Sequence, residues 1–149
     1  MKKRIKKITL CSSASFFGQL FPIAVELKKL GFKVVFPITA IRMRRNKDFR
    51  VKRYKTWFKD PSHYNLKSRL IRGHFRKIIS SDAILVVNGT RKGISGYIGG
   101  ATLLEMGIAF HYKKPIYLLN SVSDKLSLKE EILGMQPIFL NGDLRKMAE

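Results

Sequence analysis

Ala83-Ile84-Leu85-Val86-Val87, then Asn88-Gly89-Thr90-Arg91-Lys92-Gly93-Ile94-Ser95-Gly96-Tyr97-Ile98-Gly99-Gly100, then the run from Ala101 to Tyr112: this stretch decides the fold. Its first five residues are an uninterrupted β-rich apolar run, the kind of strand a parallel sheet buries on both faces. Five glycines loosen the loop that follows, and Ala101 to Tyr112 is apolar almost all round, which predicts a central helix. Strand, loop and helix in that order are one half of a βαβ unit.

The same alternation extends in both directions. Lys7 to Cys11 predicts a first strand and Ser12 to Ser15 a loop. Phe16, Phe17, Leu20, Ile23, Ala24, Leu27 and Leu30 recur at helical spacing before Gly31 closes the helix. Lys33 to Phe36 predicts a second strand, ended by Pro37. From about Thr39 to Asn65, basic residues mix with Phe49, Tyr54, Trp57, Phe58 and Tyr64 without a clean period, so this is a long excursion with room for a short helix. A helix from about Leu66 to Ser80 follows, with Leu70, Ile71, Phe75, Ile78 and Ile79 on its buried side. Pro115 to Leu119 and Pro137 to Leu140 predict two more strands, Leu126 to Gly134 a surface helix, and Gly142 to Glu149 a last helical turn. The expected fold is α/β: one domain over residues 1–149, with a doubly wound, mostly parallel sheet of about five strands of Rossmann or flavodoxin type.

Composition narrows the setting. The chain has 149 residues, of which 45% are hydrophobic, a size that suits one core. Cys11 is its only cysteine, so no internal disulfide forms and a reducing cytoplasm fits best. No apolar run is long enough for a signal-peptide core or a membrane span, and no membrane partner is expected. The formal net charge of +20 is concentrated in the tail (Lys2, Lys3, Arg4, Lys6, Lys7) and from Arg42 to Lys77. Such a field attracts anions without naming them, and general basicity of the source proteome also accounts for it.

In open α/β sheets, ligands bind outside the strand carboxyl ends, where helix N-termini present free amides. Two loops meet that description: Ser12 and Ser13 after the first strand, and the glycine loop after the buried strand. Neither carries a Walker or dinucleotide fingerprint, because the spacing of Gly93, Gly96, Gly99 and Gly100 fits neither pattern. Simple helix-start chemistry also explains the two serines. Glu105 stands out among only ten carboxylates because it opens an apolar helix directly after the glycine loop. A desolvated carboxylate there is placed to attack or stabilise a cationic sugar carbon. Thr102-Leu103-Leu104-Glu105 equally reads as a capping box, with Glu105 bonding back to the Thr102 amide.

The serine-bearing first loop, the strand Ser81-Asp82-Ala83-Ile84-Leu85-Val86-Val87-Asn88, Gly-Tyr-Ile-Gly-Gly at Gly96 to Gly100, the helix Leu104-Glu105-Met106-Gly107-Ile108-Ala109 and Lys114-Pro115-Ile116 together resemble the nucleoside 2-deoxyribosyltransferase superfamily. The resemblance covers nearly the whole chain except the basic excursion. It implies base exchange on deoxynucleosides or hydrolysis of the N-glycosidic bond of nucleoside 5'-monophosphates. A Glu-x-Gly-x-Ala helix supplies the nucleophile in that superfamily, and here it falls on Glu105, Gly107 and Ala109. Family members often carry an aspartate eight residues before the aspartate that opens the strand; counting back from Asp82, that position is His74. A histidine there can still handle the leaving base, with altered pH dependence. The glycine loop is longer than in the shortest family versions and faintly resembles the Gly-Gly-x-Gly-Thr-x-x-Glu loop of the phosphoribohydrolases that release cytokinin bases.

These readings together give a nucleotide or nucleoside substrate attacked at its anomeric carbon by Glu105, with His74 assisting base departure. Ser12, Ser13, Asn88, Lys92, Ser95, Gly96, Tyr97, Gly99 and Gly100 are the expected substrate contacts, with Lys92 and Ser13 favouring a 5'-phosphate over a bare hydroxyl. No cofactor or metal is expected, since His63, His74 and His111 lack ligand spacing. His111 is expected in the core or at a helix C-cap. A different class stays open: cations and aromatics interleaved from Arg42 to Tyr64 suit single-stranded nucleic acid, bound weakly or as the main function. The resemblance and the aromatic excursion also predict a homo-oligomer, at least a dimer.

Overall fold

The computed structural model describes residues 3–149; Lys2 of the basic tail lies outside the described residues. Five strands, β1 (Lys7–Cys11), β2 (Lys33–Val35), β3 (Ala83–Val86), β4 (Ile116–Leu118) and β5 (Ile138–Phe139), form one parallel sheet in the order β2-β1-β3-β4-β5. This is the doubly wound order of flavodoxin-like sheets, with its switch point between β1 and β3.

Strand alternation makes two cores. Ile8, Leu10, Ala83, Leu85 and Val87 face one side, where α1 (Leu20–Lys29) and α2 (Ile38–Asn46) supply Leu20, Ala24, Leu27, Ala40 and Met43. Cys11, Ile84 and Val86 face the other, against Ile78 of α3 (Tyr64–Ile79), Met106 and Ala109 of α4 (Gly100–His111) and Ile132 of α5 (Lys129–Gly134). Lys6 and Lys7 both donate their amides to Asp82 at 2.9 Å, which pins the start of β1 to the start of β3. Burial alone would raise the Asp82 carboxyl, but those amides and Lys3 hold it down to about 2.

The short helix allowed for the excursion forms, and several other expectations need revision. The helix after the first loop opens as a 3-10 segment, Ala14–Gln19, and turns α-helical only at Leu20. Pro22 explains the change: lacking an amide, it fits the first turn of α1 but cannot sit deeper in an α-helix. The excursion holds a nine-residue helix, α2, and three short 3-10 turns, with Trp57 buried rather than displayed. The helix expected to be central, α4, is not buried all round. It lies on one face of the sheet beside α3, so Thr102, Met106 and Ala109 are covered while Leu104 and Phe110 are each 53% exposed. On α3, likewise, the buried side centres on His74 and Ile78, and Ile79 is turned outward.

Candidate functional site

A cavity of about 560 Å³ opens at the carboxyl ends of β1 and β3, within the size range of small-molecule sites. Ser12 and Ser13 line it after β1, Gly99 to Thr102 at the start of α4, and α3 forms another wall. The N-cap of α4 is Gly99, in an extended conformation, which places Thr102 inside the helix rather than at its cap. The capping box therefore does not form. Thr102 Oγ1 and Glu105 Oε2 are instead buried without a hydrogen-bond partner, and His74 Nδ1 shares that state. All three residues line the cavity. Three orphaned polar atoms in one apolar recess cost stability, and a bound ligand is what satisfies such groups.

Glu105 and His74 meet there from neighbouring helices. His74 Nε2 lies 3.5 Å from Glu105 Oε2, 3.1 Å from the Leu10 carbonyl and 3.6 Å from Cys11 Sγ. Burial raises the Glu105 carboxyl to about 8, with Lys67 pulling it back down. Burial lowers His74 to about 4, reinforced by Lys77. At neutral pH the pair is thus a neutral imidazole beside a mostly protonated carboxyl, and the 3.5 Å approach is a polar contact rather than an ion pair. Burial, then Glu105, also raises the Cys11 thiol. Nε2 carries its proton toward the Leu10 carbonyl in this arrangement.

Around this carboxyl the wall is cationic and aromatic. Lys55, Lys67, Arg69 and Arg91 line the cavity, and among the described residues Glu105 is its only acidic lining residue. Burial, then Lys67 and Arg91, lowers the Lys55 ammonium, which shows how closely the cations crowd. Lys67 Nζ sits 5.4 Å from the Trp57 ring centre and the Arg91 guanidinium 5.3 Å from that of Tyr97, so cation–π contacts hold both in place.

The residues named from sequence divide into two groups. Ser12, Ser13, His74, Tyr97, Gly99, Gly100 and Glu105 line the cavity; Asn88, Lys92, Ser95 and Gly96 do not. The buried Asn88 side chain donates to the Asn120 carbonyl at 2.8 Å and accepts the Asn120 amide at 2.9 Å, locking the β3 loop to the β4 loop. Lys92 and Gly93 have φ of 51° and 74°, the two left-handed positions of a tight turn closed by paired Arg91 and Ile94 bonds. Lys92 therefore sits exposed at a tip, and its neighbour Arg91 takes the place at the cavity wall. Ser95 is tied by its carbonyl to the Ser123 amide at 3.2 Å. Gly96 serves packing: with φ of 66°, a Cβ there would stand 1.9 Å from the Ser121 carbonyl oxygen. His111 is exposed at the end of α4 rather than in the core. His63 pairs with Thr56 Oγ1 at 2.9 Å, and Phe49, Phe58 and Tyr64 are the exposed aromatics of the excursion.

Sequence spacing missed Cys11, Lys55, Lys67 and Arg91. They stand on β1, the excursion, α3 and the glycine loop, so no local pattern joins them. It also missed that ligand atoms of Cys11, His74 and Glu105 lie within 4.8 Å of one another. As a metal centre the trio fits poorly. Nε2 is directed at the Leu10 carbonyl, and Nδ1 has none of the acceptors that orient a metal-binding imidazole.

Among the described residues, no helix is long and apolar enough to cross a membrane. No family model and no curated protein matches the chain. Among solved structures it is similar to a 2-deoxyribosyltransferase from the psychrotolerant bacterium Bacillus psychrosaccharolyticus, at 21% identity over 83% of this chain and 78% of the other, with a TM-score of 0.49.

Proposed function

We propose that the chain cleaves or transfers at the N-glycosidic bond of a nucleoside 5'-monophosphate or deoxynucleoside, with Glu105 as nucleophile. The observation that carries this reading is the carboxyl of Glu105, buried and unpartnered at Oε2, in a cavity large enough for a nucleotide whose wall also carries Lys55, Lys67, Arg91, Trp57 and Tyr97. A lone carboxyl kept from water stabilises positive charge on a sugar carbon and is close enough to trap it. The resemblance of the Glu105, Gly107 and Ala109 helix to the 2-deoxyribosyltransferase motif points the same way.

In the reacting form, ionised Glu105 attacks the anomeric carbon as the bond to the base nitrogen breaks. The base leaves with the bonding electrons and takes a proton from solvent. Water or a second base then opens the glycosyl ester and returns the Glu105 carboxylate. His74 has a narrower part than expected. Held neutral by burial and bonded through Nε2 to the Leu10 carbonyl, it is a fixed neighbour 3.5 Å from the Glu105 carboxyl rather than an imidazolium acid. Ser12, Ser13 and the first amides of α4 are the sugar-side contacts, and Lys55, Lys67 and Arg91 replace Lys92 as the cations for a 5'-phosphate.

The test is release of free base, followed by chromatography, from deoxynucleosides and nucleoside 5'-monophosphates. Base release with the parent chain and none with Glu105→Gln is expected, with monophosphates preferred over the matching nucleosides. No release from any substrate sinks the reading and leaves the basic excursion as a nucleic-acid surface. A chain that is active but turns over nucleoside and monophosphate equally well removes the phosphate part alone.

A further inference from the structure

The cations near the cavity outnumber those one phosphate needs. None of Lys55, Lys67, Arg69 and Arg91 takes part in an ion pair among the described residues. Beside the main cavity lies a second concavity of about 260 Å³, lined by Arg42 and Arg53 and sharing Tyr54, Trp57, Arg69 and Leu70 with the first. Four common residues make the two spaces neighbours, and among the described residues no acidic residue lines the second.

Both added guanidiniums are held in position. Arg42 lies 5.6 Å from the Tyr54 ring centre, and Arg53 is anchored on Asp48 at 2.6 Å. Asp48 is shared with Arg50 at 3.0 Å, so that cluster keeps a net positive charge. Arg42 and Arg69 pair with no carboxylate among the described residues, and Arg53 keeps further N–H donors beyond its Asp48 contact; arginine forks held in this way are the usual receptors for phosphate oxygens.

We propose that the substrate is a nucleoside 5'-polyphosphate, with its outer phosphates in the concavity of Arg42, Arg53 and Arg69 and its sugar at Glu105. The placement of the sugar rests on the glycosidic reading above; the polyphosphate subsite rests on the two adjoining cavities. An oligonucleotide also carries successive phosphates, but each brings a further sugar and base. At about 260 Å³ the second space has less than half the volume of the first, which suits phosphates better than a further sugar and base.

Calorimetry with Glu105→Gln, which holds substrate without turning it over, tests this with the mono-, di- and triphosphate of one deoxynucleoside. EDTA keeps the anions metal-free. The triphosphate is expected to bind at least tenfold more tightly than the monophosphate at low salt, and the gap to narrow at high salt. Adding Arg42→Ala and Arg53→Ala should close the gap while changing monophosphate affinity less than twofold. Circular dichroism checks folding, and Arg42→Gln with Arg53→Gln replaces the pair if the alanine changes unfold the chain. Equal affinity for mono- and triphosphate overturns the proposal, as does a gap that survives the arginine changes. So does a single-stranded oligonucleotide that binds more tightly than the triphosphate. Failure of the glycosidic reading shows separately, as absence of free base from the parent chain with every substrate.

Discussion

Glu105→Gln exchanges one carboxyl oxygen for an amide at a position where burial lifts the carboxyl to about 8, against an ordinary 4.5. Below pH 4.5 the folded and unfolded chains both hold this proton, and the residue adds no pH dependence. Between 4.5 and about 8 the unfolded chain has released it while the folded chain keeps it, so stability falls as pH rises, by about 1.4 kcal/mol per pH unit. By pH 7 this spans about 2.5 pH units and about 3 kcal/mol; above pH 8 it levels off. Glutamine escapes the penalty. The variant is expected to lose base release and yet gain up to about 3 kcal/mol at pH 7, or roughly 6–12 °C in melting temperature for a chain of this size. Urea unfolding of parent and variant at pH 4, 6 and 8 measures it. An amide that seats imperfectly adds a constant offset, so the decisive quantity is the widening of the gap from pH 4 to pH 8. A gap that stays constant with pH refutes the buried-acid argument, and a variant that still releases base refutes the nucleophile.

Because Lys67 is the charge that draws the Glu105 carboxyl down, the parent's kcat/KM should rise with pH toward about 8, and Lys67→Met should move that midpoint upward while Lys67→Arg keeps it; an unmoved midpoint removes Lys67 from that role. Gly96→Ala forces a Cβ to 1.9 Å from the Ser121 carbonyl at a left-handed φ and should cost roughly 3 kcal/mol or more, read by denaturant unfolding. Gly73→Ala, with open space around it inside α3, should instead gain roughly 0.5–1 kcal/mol, and equal effects of the two changes would contradict the packing argument. The exposed Leu104 and Phe110 of α4 and the resemblance noted in the sequence predict at least a dimer; light scattering that gives 17.1 kDa at micromolar concentration excludes it.

Most of the fold was legible because strands and helices announce themselves through periods of 2 and 3.6 residues. All five strands lie where apolar runs predict them, with ends displaced by a residue or two, and β1 matches Lys7 to Cys11 in full. The excursion was less legible. Its helix α2 has only Ala40 and Met43 buried amid exposed basic residues, too few apolar positions to make a period. α4 misled in the opposite direction, since apolar residues all round say only that burial is available. How much of it is used depends on what packs alongside.

By itself the sequence determined the α/β class, the alternation of elements and the weight placed on Glu105, because local periodicity and the position of a rare acid near the start of an apolar helix are one-dimensional facts; the weight on His74 came from the family resemblance. Tertiary structure decided the rest. It showed that Thr102 is not the cap, that Arg91 rather than Lys92 faces the cavity, that Lys55 and Lys67 converge there from separate elements, and that Cys11 lies beside His74 and Glu105. Burial and direction depend on which strands lie side by side and how a turn is aimed. In a parallel sheet those neighbours are joined only by long crossovers, so the contacts that build the site are non-local and leave no spacing in the chain.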